Sequence, residues 1–132
     1  MPTKMKFADV PVREKLERVS GWLQEKKGKD ILALDLTNNH TFTEGIIIVT
    51  ASSIRHGQGL ADHILAESKT ERYEFLRMEG YQTGLWILLD MNDVVVSIFQ
   101  EDTRELYRLE DLWKNAGIVR DTRAHAPAIE TF

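Results

Sequence analysis

The chain has 132 residues, of which 42% are hydrophobic and 29% are charged, and its formal net charge is −4 at pH 7. This length allows one domain with a real core, and this composition is typical of a folded, soluble domain rather than a disordered chain. The negative charge argues against a general nucleic-acid binder. The chain has no cysteine, which excludes disulfides and thiolate metal sites and fits a cytoplasmic protein.

The ends of the chain have little apolar periodicity. We expect residues 1–8 to be a flexible N-terminus, residues 9–115 to form the domain, and residues 116–132 to be a C-terminal tail. Apolar runs such as Ile46–Val49 are far too short to cross a membrane, and no signal peptide is recognisable. Residues 1–29 carry a net charge of +4, which allows a secondary contact with RNA but is more simply a solvated helix face.

The first predicted element is an amphipathic helix. Asp9 is a candidate N-cap and Pro11 suits a first turn, while Gly28 marks the end of the helix. Between them, apolar residues recur at steps of three and four positions, as expected for one buried stripe: Val12, Leu16, Val19 and Leu23.

Two strands and a second helix follow. Residues 30–37 are almost continuously apolar at their centre, and residues 45–50 are the most β-prone run, so both predict inner strands. A helix is then predicted from Ser52 and Ser53 to about Arg72. Gly57 and Gly59 fall in its early turns, which predicts close packing against the sheet.

A β-hairpin is the most informative stretch of the chain. After a short strand at 75–79, apolar residues 85–89 and 94–99 flank the polar, turn-forming tetrad 90–93, and a short helix follows. Residues 84–113 contain seven carboxylates and only two arginines, so this stretch suits a basic protein partner better than nucleic acid.

The order of these elements predicts an α/β protein of α+β character, with a single mixed sheet of about five strands. The strand–helix–strand crossover requires some parallel pairing, and both long helices are expected mainly on one face of the sheet.

The hairpin and the segment after it resemble the signature of the Iojap family, the ribosomal silencing factors. The family pattern is close to G-x-W-x-x-x-D-x-x-D-V-V-V-H-x-F followed by E-x-R-x-x-Y-x-L-E-x-L-W. The matching residues are Gly84, Trp86, Asp90, Asp93, Val94, Val95, Val96, Phe99, Glu101, Arg104, Tyr107, Leu109, Glu110, Leu112 and Trp113. Further matches lie on the second helix, at Ser53, Arg55, His56, Ala61, Asp62 and Ile64.

The chain departs from the family pattern at two places. Ser97 stands where the family usually has histidine, and Glu44-Gly45-Ile46 replaces the family's aromatic strand entry. The resemblance implies a core related to nucleotidyltransferases. It also implies binding to the large ribosomal subunit through its fourteenth protein, so that joining of the small subunit is sterically blocked and translation is repressed. No reaction, metal or cofactor is implied, and members of the family can self-associate.

Strand alternation gives the candidate binding face. On one face of the hairpin the alternating residues are all aliphatic, which suits the core. The opposite face then carries Trp86, Leu88, Asp90, Val95, Ser97 and Phe99. Together with the family signature this predicts the partner-binding residues as Trp86, Leu88, Asp90, Val95, Ser97, Phe99, Glu101, Arg104 and Tyr107. The alternative is that the C-terminal segment or a second copy of the protein covers this face.

Two other functions stay open at this point. A degenerate nucleotidyltransferase would still bind a nucleotide or metal, although the helix start at Ser52-Ser53 lacks a preceding glycine and Asp35 has no paired carboxylate. The four histidines show no metal-ligand spacing, so catalysis is not expected. A homo-oligomerisation module is the third reading.

Overall fold

The computed structural model describes residues 7–39 and 41–124. In chain order the elements are α1 (Val12–Glu25), β1 (Lys29–Asp35), β2 (Gly45–Ala51), α2 (Ile54–Glu71), β3 (Arg77–Glu79), β4 (Trp86–Asp90), β5 (Val94–Gln100), α3 (Glu101–Tyr107), a 3₁₀ helix (Leu109–Trp113) and β6 (Gly117–Asp121). No helix in these ranges is both long and apolar enough to cross a membrane.

All the strands belong to one mixed sheet with the order β3-β4-β5-β2-β1-β6. The central pair β2 and β5 is parallel, because α2 and the β3–β4 hairpin lie between them in the chain, and every other pair is antiparallel. The prediction of a single mixed sheet is confirmed, with six strands instead of about five. The relation to nucleotidyltransferases stays a prediction.

The two long helices pack on the same face of the sheet. Ser53 caps α2, because its side-chain oxygen accepts a hydrogen bond from the His56 backbone N–H at 3.0 Å. The expected cap of α1 is wrong: Pro11 occupies the N-cap position and no side chain caps the helix, so Asp9 plays no such role. Proline suits this helix start because it has no N–H to satisfy.

The main core lies between these helices and the sheet. Its fully buried members include three residues of the predicted α1 stripe and the alternating residues of β4 and β5 that the sequence assigned to the core: Leu16, Val19, Leu23, Ile87, Leu89, Val94, Val96 and Ile98. Val12, the first residue of the predicted stripe, is only partly buried. The close packing expected at Gly57 is confirmed, since an added Cβ would lie 3.4 Å from the Ala51 Cβ. The same expectation is wrong at Gly59, where an added Cβ would meet nothing outside the helix backbone within 4 Å.

Gly45, at the strand entry where the chain departs from the family pattern, has no room for a side chain. A Cβ at this position would lie 2.9 Å from Leu16 Cδ2, a side chain that is completely buried in the core. Leu16 therefore fills the space that a larger residue at position 45 would need.

A buried ion pair joins α1 to the hairpin turn. Lys15 Nζ lies 2.6 Å from Asp93 Oδ1 and also donates to the Met91 carbonyl at 3.2 Å, with only 6% of its side chain exposed. Asp93 is therefore a structural partner of Lys15 and not a free carboxylate at the tip of the hairpin.

The C-terminal segment joins the sheet, in contrast to the predicted tail. Residues Gly117–Asp121 form β6, the edge strand beside β1, and the backbone N–H of Thr122 donates to the Ile31 carbonyl at 2.8 Å. The tail predicted from residue 116 is thus wrong for β6, and residues 125–132 lie outside the described part. Of the predicted flexible N-terminus only Phe7 and Ala8 are described, and the Ala8 N–H donates to the Arg72 carbonyl.

Candidate interaction surface

The hairpin register places the six predicted face residues together, on the side of the sheet away from α1 and α2. In the pairing of β4 with β5 they lie opposite one another as Trp86↔Phe99, Leu88↔Ser97 and Asp90↔Val95. The three β4 residues are half-buried, whereas the three β5 residues are 9% exposed or less. On this face the β4 side chains are therefore accessible, whereas those of β5, the neighbouring strand, are covered.

Trp86 is the centre of this surface. Its ring lies 4.8 Å from the Phe99 ring and 5.0 Å from the Tyr107 ring, both tilted contacts. Its indole Nε1–H donates to Ser97 Oγ at 3.1 Å. Contacts on two sides and one hydrogen bond fix the ring while leaving part of it accessible, so little side-chain entropy remains to be lost on binding.

Replacing Ser97 with alanine removes the acceptor of the indole hydrogen bond. We expect the free energy of unfolding to fall by about 1 kcal/mol, because the half-buried indole N–H loses its partner. Ser97→Thr keeps the hydroxyl and is the matched control. Chemical denaturation measures both variants, and equal stability of Ser97→Ala and the parent protein would contradict this role for Ser97.

The edge strand β3 completes the surface beside β4. Arg77 and Glu79 pair with Asp90 and Leu88 in the register, and the Arg77 guanidinium lies 3.8 Å from Asp90 Oδ2. Asp90 Oδ1 also accepts from the Asn92 backbone N–H at 2.9 Å. Asp90 therefore combines a local turn bond with a weak, partly exposed ion pair, and keeps acceptor capacity for a partner.

A shallow cavity of about 290 Å³ lies next to the tryptophan, lined by Glu79, Gly80, Trp86 and Leu88. Gly80 adopts a positive φ of 82°, and a Cβ there would lie 2.1 Å from the Trp86 carbonyl oxygen. Only glycine allows the backbone of β4 to come this close.

We expect Gly80→Ala to shift the start of β4 and to lower the free energy of unfolding by at least about 2 kcal/mol, since both the backbone angle and the contact with Trp86 are violated. Thermal unfolding tests this, with Gly59→Ala as control. Gly59 lies in open space, so alanine there is expected to be neutral or stabilising.

Helix α3 carries the remaining predicted residues, which have different environments. Glu101 is exposed at its first position, and Tyr107 is 53% exposed beside Trp86. Arg104 is 7% exposed instead, and its guanidinium donates to the Asp30 carbonyl, to Thr50 Oγ1 and to Glu110. Arg104 thus holds α3 onto the sheet and presents no surface to a partner.

Two exposed leucines near this surface were not among the predicted binding residues. Leu106 is 75% exposed on α3 and Leu112 is 66% exposed on the 3₁₀ helix. Both belong to the carboxylate-rich stretch around Glu105 and Asp111, where a hydrogen bond from Arg108 to Glu105 raises the pKa of Arg108. The sequence did not mark them as exposed, because Leu109 lies three residues from each of them, which is the spacing of a buried helical stripe.

The residues considered for catalysis or metal binding have structural partners. Asp35 accepts hydrogen bonds from the backbone N–H and the hydroxyl of Thr37. At the start of α2, the Ser52 N–H donates to His56 Nδ1. His56 Nε2 lies 2.8 Å from the Lys26 carbonyl, which ties α2 to the end of α1. Over residues 7–39 and 41–124, no group of three or more acidic or histidine side chains could hold a metal ion.

Comparison with known proteins gives one consistent family. The family profile described as "Ribosomal silencing factor during starvation" matches residues 10–131. A Haemophilus influenzae protein named ribosomal silencing factor RsfS is 38% identical over 87 residues, which is 66% of this chain and 85% of the relative. The corresponding protein of Halalkalibacterium halodurans is 30% identical over 107 residues, which is 81% of this chain and 92% of the relative.

Solved structures and a more distant relative agree with this result. A crystal structure of a Chromobacterium violaceum protein superimposes with a TM-score of 0.73 at 28% identity, covering 91% of this chain and 97% of that one. A mouse protein named mitochondrial assembly of ribosomal large subunit protein 1 is 23% identical over 69% of this chain and 41% of its own length. The profile match extends over almost the whole chain, and this chain therefore belongs to the ribosomal silencing factor family, RsfS.

Proposed function

We propose that this protein binds the large ribosomal subunit through its fourteenth protein and thereby blocks joining of the small subunit. Membership of the silencing-factor family supports a ribosomal partner, and the name of the mouse relative refers to the large subunit. The observation that carries the proposal is Trp86, an aromatic ring fixed by Phe99, Tyr107 and Ser97 but left partly accessible at the centre of a sheet face.

The chemistry of this surface suits a protein partner with basic side chains. An apolar centre of Trp86, Leu88 and Tyr107 has the composition found in the middle of protein interfaces. Around it lie carboxylates at Asp90 on β4 and at Glu101 on α3, followed by further acidic residues. Lysine and arginine side chains of a ribosomal protein would meet these carboxylates, which favours fast association and the correct orientation.

The mechanism we infer is steric occlusion without a chemical step. A bound domain of 132 residues occupies space on the face of the large subunit that the small subunit would otherwise approach. Silencing then depends only on the free energy of binding and on the position of the bound protein. The acidic surface also predicts that salt weakens binding, since screening shortens the range of the attraction.

A subunit-joining assay tests the proposal. Large subunits are incubated with the protein, small subunits are added, and the fraction of joined ribosomes is measured by sucrose-gradient sedimentation. We expect that fraction to fall as the protein concentration rises, and to recover when the small subunits are added before the protein. Unchanged joining at protein concentrations that saturate the large subunit would contradict occlusion.

We propose as a secondary property that the same surface pairs with a second copy when no ribosome is present. Leu106, Tyr107 and Leu112 are all more than half exposed, and Tyr107 contacts Trp86, so they offer apolar area that a second copy can cover. Sedimentation velocity over a range of concentrations tests this, and we expect large subunits to compete with self-association. A sedimentation coefficient independent of concentration would exclude it.

A further inference from the structure

A second apolar surface lies beneath the segment that follows α3. We call residues 108–116 the cover; it contains the 3₁₀ helix and lies across the sheet. Beneath it lies a cluster of buried side chains from five strand positions and the residue after β1: Leu32, Leu34, Leu36, Ile46, Ile48 and Phe99. The cover packs on them through Leu109, Trp113 and Ala116, yet none of the residues of its 3₁₀ helix is itself buried.

The contact between the cover and the sheet is imperfect. Two cavities of about 270 and 260 Å³ lie beside the cover, and Glu110 and Arg123 line both. Three buried polar atoms at this contact have no hydrogen-bond partner, namely Arg104 Nη2, Glu110 Oε1 and Trp113 Nε1; the described residues contain only one other, Ser68 Oγ. Such groups gain hydrogen bonds from water when the contact opens, which favours opening relative to a well-packed contact.

Both ends of the cover are held by other contacts. On one side, Arg104 donates to the Asp30 carbonyl at 2.6 Å and to Thr50 Oγ1 at 2.9 Å, which keeps α3 in place. Arg108, the next residue after α3, has a left-handed φ of 46° and forms the bend. On the other side, Thr122 and Ile31 exchange two hydrogen bonds of 2.8 Å, which keep β6 on β1.

We propose that the cover swings away from the sheet while α3 and β6 stay in place, and that the uncovered face of β1 and β2 then receives an apolar segment of the basic protein partner. Phe99 belongs to the covered cluster and also touches Trp86, so the uncovered face would be continuous with the Trp86 surface. Glu110 and Asp111 on the cover add carboxylates that attract a basic segment. The choice of occupant rests on the proposed function, but the opening itself does not.

Hydrogen exchange of single amides in the free protein tests the opening. The N–H groups of Asp111 and Ala116 are bonded within the cover, at 3.0 and 3.1 Å. Such short turns are not stable away from the surface on which they pack, so these bonds are lost when the cover leaves the sheet. We expect them to exchange at least about 100-fold faster than the N–H groups of Ile31 and Thr122, which report on the β1–β6 contact. Equal protection of all four amides would show that the cover opens only with the whole edge of the sheet, and would overturn the proposal.

A pair of charge-matched variants tests whether the Glu110–Arg104 ion pair holds the cover closed. Glu110→Gln weakens the 3.3 Å ion pair with Arg104, so the Asp111 and Ala116 amides are expected to exchange about 5-fold faster. Asp102→Asn makes the same charge change at an exposed position on α3 that lines neither cavity beside the cover, and it is expected to leave their exchange unchanged. An equal effect of both variants would assign the result to net charge and contradict the role of the buried contact.

Exchange in the presence of large ribosomal subunits tests the occupant. We expect the Asp111 and Ala116 amides to exchange faster in the bound protein, while amides around Trp86 become protected. Slower exchange of the cover amides on binding would mean that the cover stays closed. This result would refute the proposal that the face of β1 and β2 binds the partner. Absence of binding would refute the proposed function and the occupant together, whereas the exchange pattern of the free protein would still decide the opening.

Discussion

Replacing Trp86 with alanine is expected to weaken binding to the large ribosomal subunit by at least about 30-fold, equivalent to about 2 kcal/mol. The substitution removes the only aromatic ring that is both fixed by the sheet and open to a partner on the β4 face, within the described part of the chain. Binding is measured by titrating the labelled protein with large subunits at constant salt.

Two matched variants separate loss of contact from loss of structure. Trp86→Phe keeps a ring against Phe99 and Tyr107 but loses the hydrogen bond to Ser97, so its binding should lie between those of alanine and tryptophan. Leu65→Ala removes an apolar side chain that is 40% exposed on α2, far from this face, and should bind normally. Unchanged binding of a folded Trp86→Ala protein would mean that the partner uses another surface.

Replacing Arg104 with alanine is expected to lower the free energy of unfolding by about 3 kcal/mol, which corresponds to a fall in Tm on the order of 10 °C. The guanidinium binds the Asp30 carbonyl, Thr50 Oγ1 and Glu110, and only 8% of the side chain is exposed. Its loss leaves the Glu110 carboxylate, itself only 21% exposed, without its cationic partner. Denaturant unfolding followed by circular dichroism measures the change.

Arg108→Ala is the control for this experiment. Arg108 pairs with Glu105 and Asp111 on the surface, where ion pairs contribute little, so less than about 1 kcal/mol should be lost. Equal destabilisation by the two variants would contradict the assignment of Arg104 as the residue that fixes α3. Arg104→Lys is expected to recover only part of the loss, because an ammonium cannot reproduce the planar geometry of the three contacts.

Strand periodicity was sufficient to predict much of the candidate surface. Alternation placed Ile87, Leu89 and Val96 in the core, and it placed Trp86 and Leu88 on the opposite face. The prediction succeeds because successive side chains of a strand point to opposite faces of the sheet. Once the apolar residues are assigned to the core, the residues between them must lie on the opposite face.

Alternation could not show which of those face residues remain accessible. Phe99 and Ser97 share the face with Trp86 but are 0% and 1% exposed, because the segment after α3 packs on the cluster that contains Phe99 and the Trp86 indole lies against Ser97. Accessibility depends on how distant parts of the chain pack, and local periodicity carries no such information. The covering by the C-terminal segment, one of the alternatives left open by the sequence, therefore applies to Phe99.

The edge strand β6 was missed for a different reason. Its five residues begin with glycine, and its partly exposed Ile118 and Val119 are its only apolar residues, so no alternation is visible. Its position comes from backbone pairing with β1. Arg104 was misjudged for a similar reason, because a charged residue in an acidic stretch is normally exposed, and only its contacts with Asp30 and Thr50 explain its burial.

Co-sedimentation of the purified protein with isolated large and small ribosomal subunits, over a series of salt concentrations, tests the central claim most directly. We predict binding to the large subunit alone, and we predict that this binding weakens steadily as salt screens the carboxylates around Trp86. Binding to neither subunit at low salt and micromolar protein, or equal binding to both subunits, would contradict the account.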